Sequence, residues 1–204
     1  MQDSIWSRIV DIASRSSTDN LLVIGKGPSL DALGGAVLPP GLVINLNDSE
    51  RIYPGQVGIF SANWVRHSLQ ETGFLCEFYL AGRPLPERVP HVLLPPLPME
   101  EEQEGMSTYR LERREFFDEP FLLLNALKLA LLVAAAKQRP QTVYLLGFDF
   151  STDAAPLSAR IARDYSGASL DERSAAVRAQ ESEFRQLLHY FGRGDRLRLV
   201  HVGA

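Results

Sequence analysis

Six short β-type runs, several of them nearly continuous in apolar residues, constrain this chain more than any other feature: "LLVIG" (21–25), "LVINL" (42–46), "VGIFS" (57–61), "CEFYLA" (76–81), "TVYLLG" (142–147) and "RLRLVHV" (196–202). Runs this short and this continuous in apolar residues suit parallel strands covered on both faces. Helical character falls between them, at Ser4–Ser14, Pro28–Ala36, Trp64–Glu71, Glu119–Lys137 and Leu170–Phe191. The alternation predicts an α/β fold, Rossmann-like, with a mostly parallel sheet and helices on both faces. A chain of 204 residues, 45% of them hydrophobic, has enough apolar material for one domain over 1–204. One stretch resists the alternation. Residues 82–118 begin with "GRPLPERVPHVLLPPLP", too rich in proline for a central strand or a helix, and continue into the densely charged "MEEEQEGMSTYRLERREFFDE". They read as a proline-rich and charged surface connection.

Composition removes several classes of function. A net charge of -4 with no basic stripe is wrong for a general nucleic-acid binder, which needs clustered lysine and arginine against phosphate. The single cysteine, Cys76 in "FLCEFYLAG", has no internal disulfide partner and reads as a small buried hydrophobe, which fits a reducing cytoplasm. The start, "MQDSIWSRIVDIASRSS", lacks the basic region and apolar core of a signal peptide and reads as an amphipathic helix. The longest apolar tract, Phe121 to Ala136, is broken by Asn125 and Lys128 and is too short to span a membrane, so it is expected to be a helix buried against the sheet.

The turn after the first run, "GKGPSL", has the parts of an anion site. Gly25 and Gly27 permit positive φ and a close ligand approach, and Pro28 suits the first helical position, where its missing donor costs nothing. Ser29 adds a hydroxyl, and the other amides at a helix start would point at solvent. The spacing is neither that of a Walker loop nor Gly-x-Gly-x-x-Gly, since Leu30 stands at the third glycine position, so ATPase and NAD readings weaken. A tight strand-to-helix turn without a ligand satisfies the same pattern, and the turn alone leaves both readings open.

Residues elsewhere add weight to binding. Open parallel sheets take ligands beyond the carboxyl ends of their strands, and polar residues gather there: Asn45 and Asn47 close the second run, Ser61 and Asn63 close the third, and Asp149 follows the run at 142–147. Asn125 is a further amide on the buried-looking helix. Each has an ordinary explanation as a cap or turn residue. Together they describe one crevice of amides, a carboxylate and a phosphate loop, suited to a nucleotide or nucleotide-sugar because an amide offers both donor and acceptor.

In order and spacing, "VIGKGPSL", "NLND", "FSAN" and "VYLLGFDFS" resemble the sialyltransferases of glycosyltransferase family 42. The glycine-proline-serine turn and the late Gly-x-Asp strand are also similar to those of flagellin-glycosylation proteins and 6-hydroxymethylpterin diphosphokinase-like proteins. The likeness covers Leu21–Asn63 and Asn125–Ser151. It implies a CMP-activated nonulosonic acid as donor, a glycan or protein as acceptor, and no cofactor for glycosyl transfer. It further implies that Gly25, Gly27, Pro28 and Ser29 cradle the nucleotide phosphate, that Asn47 and Asn63 contact phosphate, ribose or sugar, that Asn125 sits near the cytosine, and that Asp149 lies at the crevice floor. Lys26 stands where the family commonly has asparagine and would put a positive charge beside the phosphate.

Catalysis is where the chain departs from that family. The family's general base is a histidine whose counterpart here is Ala168, and His67 and His189 do not match it. Its lid tyrosines are also missing from 151–169, where only Tyr165 stands, although Arg160 and Arg163 could clamp phosphate. "SLDE" at 169–172 matches a helix capping box. Asp149 and Asp153 are the candidate carboxylate bases. Two other readings stay open. One is a pyrophosphokinase using ATP and Mg²⁺, with Asp149 and Asp153 as carboxylates. The other is a non-catalytic nucleotide-sugar-binding module.

Overall fold

The structure is a computed structural model and describes residues 2–33, 37–62, 73–100, 107–150 and 170–202. Seven strands form one sheet in the order β5-β4-β3-β2-β1-β6-β7, with every pair parallel: β1 (Asn20–Ile24), β2 (Leu42–Leu46), β3 (Val57–Phe60), β4 (Phe78–Ala81), β5 (His91–Leu93), β6 (Gln141–Leu146) and β7 (Leu197–Val202). The fold is α/β and Rossmann-like. Strand order reverses beside the central strand: β2 to β5 run away on one side of β1, while β6 and β7 return on the other. That reversal puts a crevice at the carboxyl ends of β1 and β6.

Alternating strand residues feed two sides. Leu21, Val23, Ile44, Ile59, Val143 and Leu145 join one large core with α1 (Gln2–Arg15), α3 (Leu123–Lys137) and α4 (Leu170–Phe191). Ile5, Ile9, Ile12 and Ala13 give α1 a single apolar stripe, and α1 packs on α3. Helix α3 is apolar nearly all round, as a helix pressed between a sheet and other helices must be. Each of its leucines taken wholly out of water contributes roughly 1.5–3 kcal/mol. Leu22, Ile24, Val43 and Leu146 pack on the opposite side with Leu30. Among the described residues the connections there are two short 3-10 helices, Pro28–Leu33 and Asn47–Arg51. The predicted helix Trp64–Glu71 lies outside the described residues.

Over Pro28–Leu33 the helix expected at Pro28–Ala36 is a 3-10 helix, and residues 34–36 lie outside the described residues. The surface connection over 82–118 is corrected in two places. His91–Leu93 is the edge strand β5, and an edge is where a proline-flanked strand is tolerated, because one row of donors needs no ladder partner. The charged stretch is not solvated throughout, since Arg110, Phe116 and Glu119 are buried. Arg110, on α2 (Thr108–Glu112), pairs with Glu119, and Arg113 lies 4.0 Å from the other Glu119 oxygen and stacks over Phe117. A second buried polar network lies under β2 to β4. Glu50 accepts the Tyr79 hydroxyl and the amides of Leu75 and Cys76, while Asn45 accepts the Cys76 thiol and donates to Ser49 and the Tyr53 carbonyl.

Candidate functional site

The turn after β1 and the turn after β6 are built against each other. Gly25 N–H donates to the Leu146 carbonyl at 2.8 Å, and Gly27 N–H to the Gly147 carbonyl at 2.7 Å. A Cβ on Gly27 would stand 2.4 Å from Asp149 Oδ2 and 2.9 Å from the Gly147 oxygen. Gly147 has φ +70°, and a Cβ there would meet Leu30 Cγ at 2.7 Å. The glycines therefore serve the close approach of two loops, whether or not a ligand also approaches them.

The same packing consumes the turn's donors. Ser29 N–H donates to Asp149 Oδ2 at 2.8 Å, Leu30 N–H donates to the Gly27 carbonyl at 3.2 Å, and Pro28 has no donor. The expectation that these amides face solvent is thus corrected: the Asp149 carboxylate and neighbouring carbonyls already hold them. Lys26 Nζ is 3.7 Å from Asp48 Oδ1, and both side chains are largely buried. The charge expected beside a phosphate is therefore already matched by a carboxylate of the chain.

A cavity of about 180 Å³ opens where these turns meet, walled by Gly25, Lys26, Gly27, Asn47, Ser61 and Asp149 on the strand-end side. Pro120, Phe121, Leu122, Phe148, Phe150, Val177 and Gln180 supply the remainder together with Leu46 and Gly147. Ligand pockets usually span roughly 300–1,000 Å³, so the described walls fit one substituted ring better than a whole sugar nucleotide. Asn47 sits at φ +52°, a conformation asparagine tolerates better than most residues, and its Oδ1 accepts Ser61 N–H at 3.1 Å. That bond ties the ends of β2 and β3 together at the cavity rim.

The structure brings Gly25, Lys26, Gly27, Asn47 and Asp149 to one cavity. Pro28 and Ser29 border it through the turn without lining it. Asn125 does not line it either. Its Nδ2 donates to the Phe117 carbonyl at 2.7 Å, and Lys128, one turn along α3, donates to the Glu115 carbonyl at 2.9 Å. The two polar breaks in the apolar tract thus tie down the extended segment 115–117. Burial, the first cause, lowers the Lys128 amine to about 8. Asn63 and Asp153 lie outside the described residues, as do His67, Arg160, Arg163, Tyr165 and the whole segment 151–169, where a lid was expected.

Several residues near the crevice carried no sequence signal. Gln180 is one polar position among many on an amphipathic helix. Asp118 sits in the charged stretch, yet its Oδ2 accepts Ala62 N–H at the end of β3, and burial raises its carboxyl above the usual range. His201, at the end of β7, donates from Nε2 to the Phe148 carbonyl at 3.1 Å and meets the Phe184 ring edge-on, behind the aromatic wall. Among the described residues no three histidine, cysteine, aspartate or glutamate side chains form a group able to hold a metal, and no helix is long and apolar enough to cross a membrane. Compared with known proteins, the chain matches no family model, no curated protein and no solved structure.

Proposed function

We propose that the chain binds a nucleotide-activated sugar, a CMP-linked nonulosonic acid, and acts as a sialyltransferase-like glycosyltransferase domain toward a glycan or protein acceptor. One observation carries this reading. The cavity lies at the switch point of a parallel sheet, and Lys26, Asn47, Ser61 and Asp149 reach it from the same four strand-end segments on which the family 42 resemblance rests. An amide, a hydroxyl and a carboxylate beside phenyl rings suit one hydroxyl-bearing ring of such a ligand. Within this reading the protein works in the cytoplasm, where the lone, buried Cys76 thiol stays reduced.

Transfer requires a base for the acceptor hydroxyl, a role typically contributing about 10²–10⁴-fold. Asp149 is the proposed candidate among the described residues, with one oxygen already engaged by Ser29. That engagement favours a second reading, a non-catalytic binding module, in which the carboxylate serves the turn and the ligand but no proton transfer. The pyrophosphokinase reading ranks lower. Mg²⁺ would fall to Asp149 and Asp153, and diphosphate chemistry calls for clustered positive charge, whereas Lys26 is engaged with Asp48.

Calorimetry with CMP, CMP-sialic acid, ATP and a pterin, each with and without Mg²⁺, tests the assignment. CMP ligands are expected to bind without Mg²⁺. Binding confined to ATP and the pterin in the presence of Mg²⁺ would replace this reading with the kinase one. Donor hydrolysis and transfer, measured on the same protein, separate transferase from module.

A further inference from the structure

Backbone amides commonly supply a phosphate site at a glycine turn, yet here Gly25, Gly27, Ser29 and Leu30 already spend theirs inside the chain. The uncommitted polar atoms are of another kind. Asp149 Oδ2 is held by Ser29 N–H, and its Oδ1 accepts no hydrogen bond from the described residues. Asn47 Oδ1 is held by Ser61 N–H, and its Nδ2 donates to none of them. Gln180, on α4 across the cavity, has its amide engaged by none of them. Each of the first two side chains is thus fixed by one atom and leaves the other unspent on a residue that walls the cavity.

We propose that this cavity recognises the vicinal hydroxyls of a sugar, which donate to Asp149 Oδ1 and accept from Asn47 Nδ2, with Gln180 completing the set from α4. A hydroxyl can donate and accept at once, so a carboxylate oxygen and an amide N–H₂ together fit a diol and discriminate against a ring lacking one hydroxyl. Phosphate offers acceptors only and would gain nothing from Asp149. The cavity's volume, about 180 Å³, suits one substituted ring. The inference rests on the nucleotide-sugar reading and names which part of such a ligand this site holds; the diol is either that of the nucleotide's ribose ring or that on the exocyclic chain of the transferred sugar.

The test is calorimetry on the whole chain with CMP, dCMP and CMP-sialic acid, for wild type and for Asp149→Asn. Asparagine keeps an oxygen for Ser29 N–H and replaces the other by a donor, so the turn is preserved while the diol acceptor is lost. A hydrogen bond to a charged group supports a preference of roughly tenfold or more. If CMP exceeds dCMP by that factor in wild type and the preference disappears in Asp149→Asn, the site reads ribose. If CMP and dCMP are equal but CMP-sialic acid binds that much tighter, again only in wild type, the site reads the activated sugar. Three equal affinities, or preferences that survive Asp149→Asn, overturn the diol inference while nucleotide binding stands. No binding of any of the three overturns both.

Discussion

The polar network under β2 to β4 and the cavity at β1 and β6 use similar residues in opposite ways. In the network, Glu50 Oε2 accepts three donors, the Asn45 amide is engaged at both ends, and Ser49 accepts from Leu46 N–H and donates to the Ile24 carbonyl. At the cavity, Asn47 and Asp149 each bond once to the backbone and stop. Residue type therefore does not distinguish scaffold from site. Commitment does: a buried polar group that has its partners holds strands together, whereas one left half-engaged at a strand end is available to something else.

The largest effect is expected in the network. Glu50→Ala leaves the buried Tyr79 hydroxyl without its acceptor and the Leu75 amide without its carboxylate, while Cys76 N–H keeps the Tyr79 oxygen, and should cost roughly 3 kcal/mol in urea unfolding. Ligand affinity of the molecules that remain folded should stay within about twofold, as an architectural role requires. A matching loss of affinity would erase the distinction between the two regions.

Gly27→Ala tests the junction between the two turns. The added Cβ would press on Asp149 Oδ2 and the Gly147 carbonyl, so a loss of about 1–3 kcal/mol in stability is expected, together with weaker binding of any ligand that Asp149 holds. A stable variant with unchanged affinity would show that the close approach of the turns does not position the carboxylate.

The smallest effect is expected in the pH dependence of stability. Burial first, then the neighbouring Cys76 and Glu50, push the Tyr79 phenol well above its ordinary 10.0. The folded chain then keeps a proton that the unfolded chain releases near pH 10, so the native state binds more protons and stability falls as pH rises beyond that point. Cys76 acts in the same direction above its ordinary 9.0. Tyr79→Phe removes the phenol's share, so its stability deficit against wild type should shrink above pH 10 by at most about 1.4 kcal/mol per pH unit. A gap that stays constant from pH 8 to 11 would mean that the phenol is not held in its protonated form.

The sheet was legible because β1 to β4 and most of β6 are apolar runs, as parallel strands covered on both faces should be, while β7 mixes Leu197, Leu199 and Val200 with Arg198 and His201, as a half-exposed edge strand can. β5 was not, since Val92 is flanked by Pro90, Pro95 and Pro96, and the same prolines that exclude a central strand are harmless on an edge. The strand-end rule led to Asn47 and Asp149, because it depends only on where apolar runs stop. It did not reveal that the Asp149 carboxylate caps Ser29, a contact between residues 120 positions apart. Arg110 and Glu119 read as solvated because charge normally is, and their mutual pairing in the interior becomes visible only once α2 and the segment after it are folded together.

The central place of β1 has a consequence for how the chain is made. Its partner on one side, β2, follows within some twenty residues, whereas β6, its partner on the other, begins at Gln141. During synthesis the first half of the sheet can assemble while Leu21 to Ile24 still present an apolar, unpaired edge of the kind that other chains can add to. Pairing across so long a separation is intrinsically slow. A ribosome stalled, or a gene truncated, before Gln141 would therefore release not a smaller version of the domain but a template for aggregation, with its stickiest strand at the exposed border.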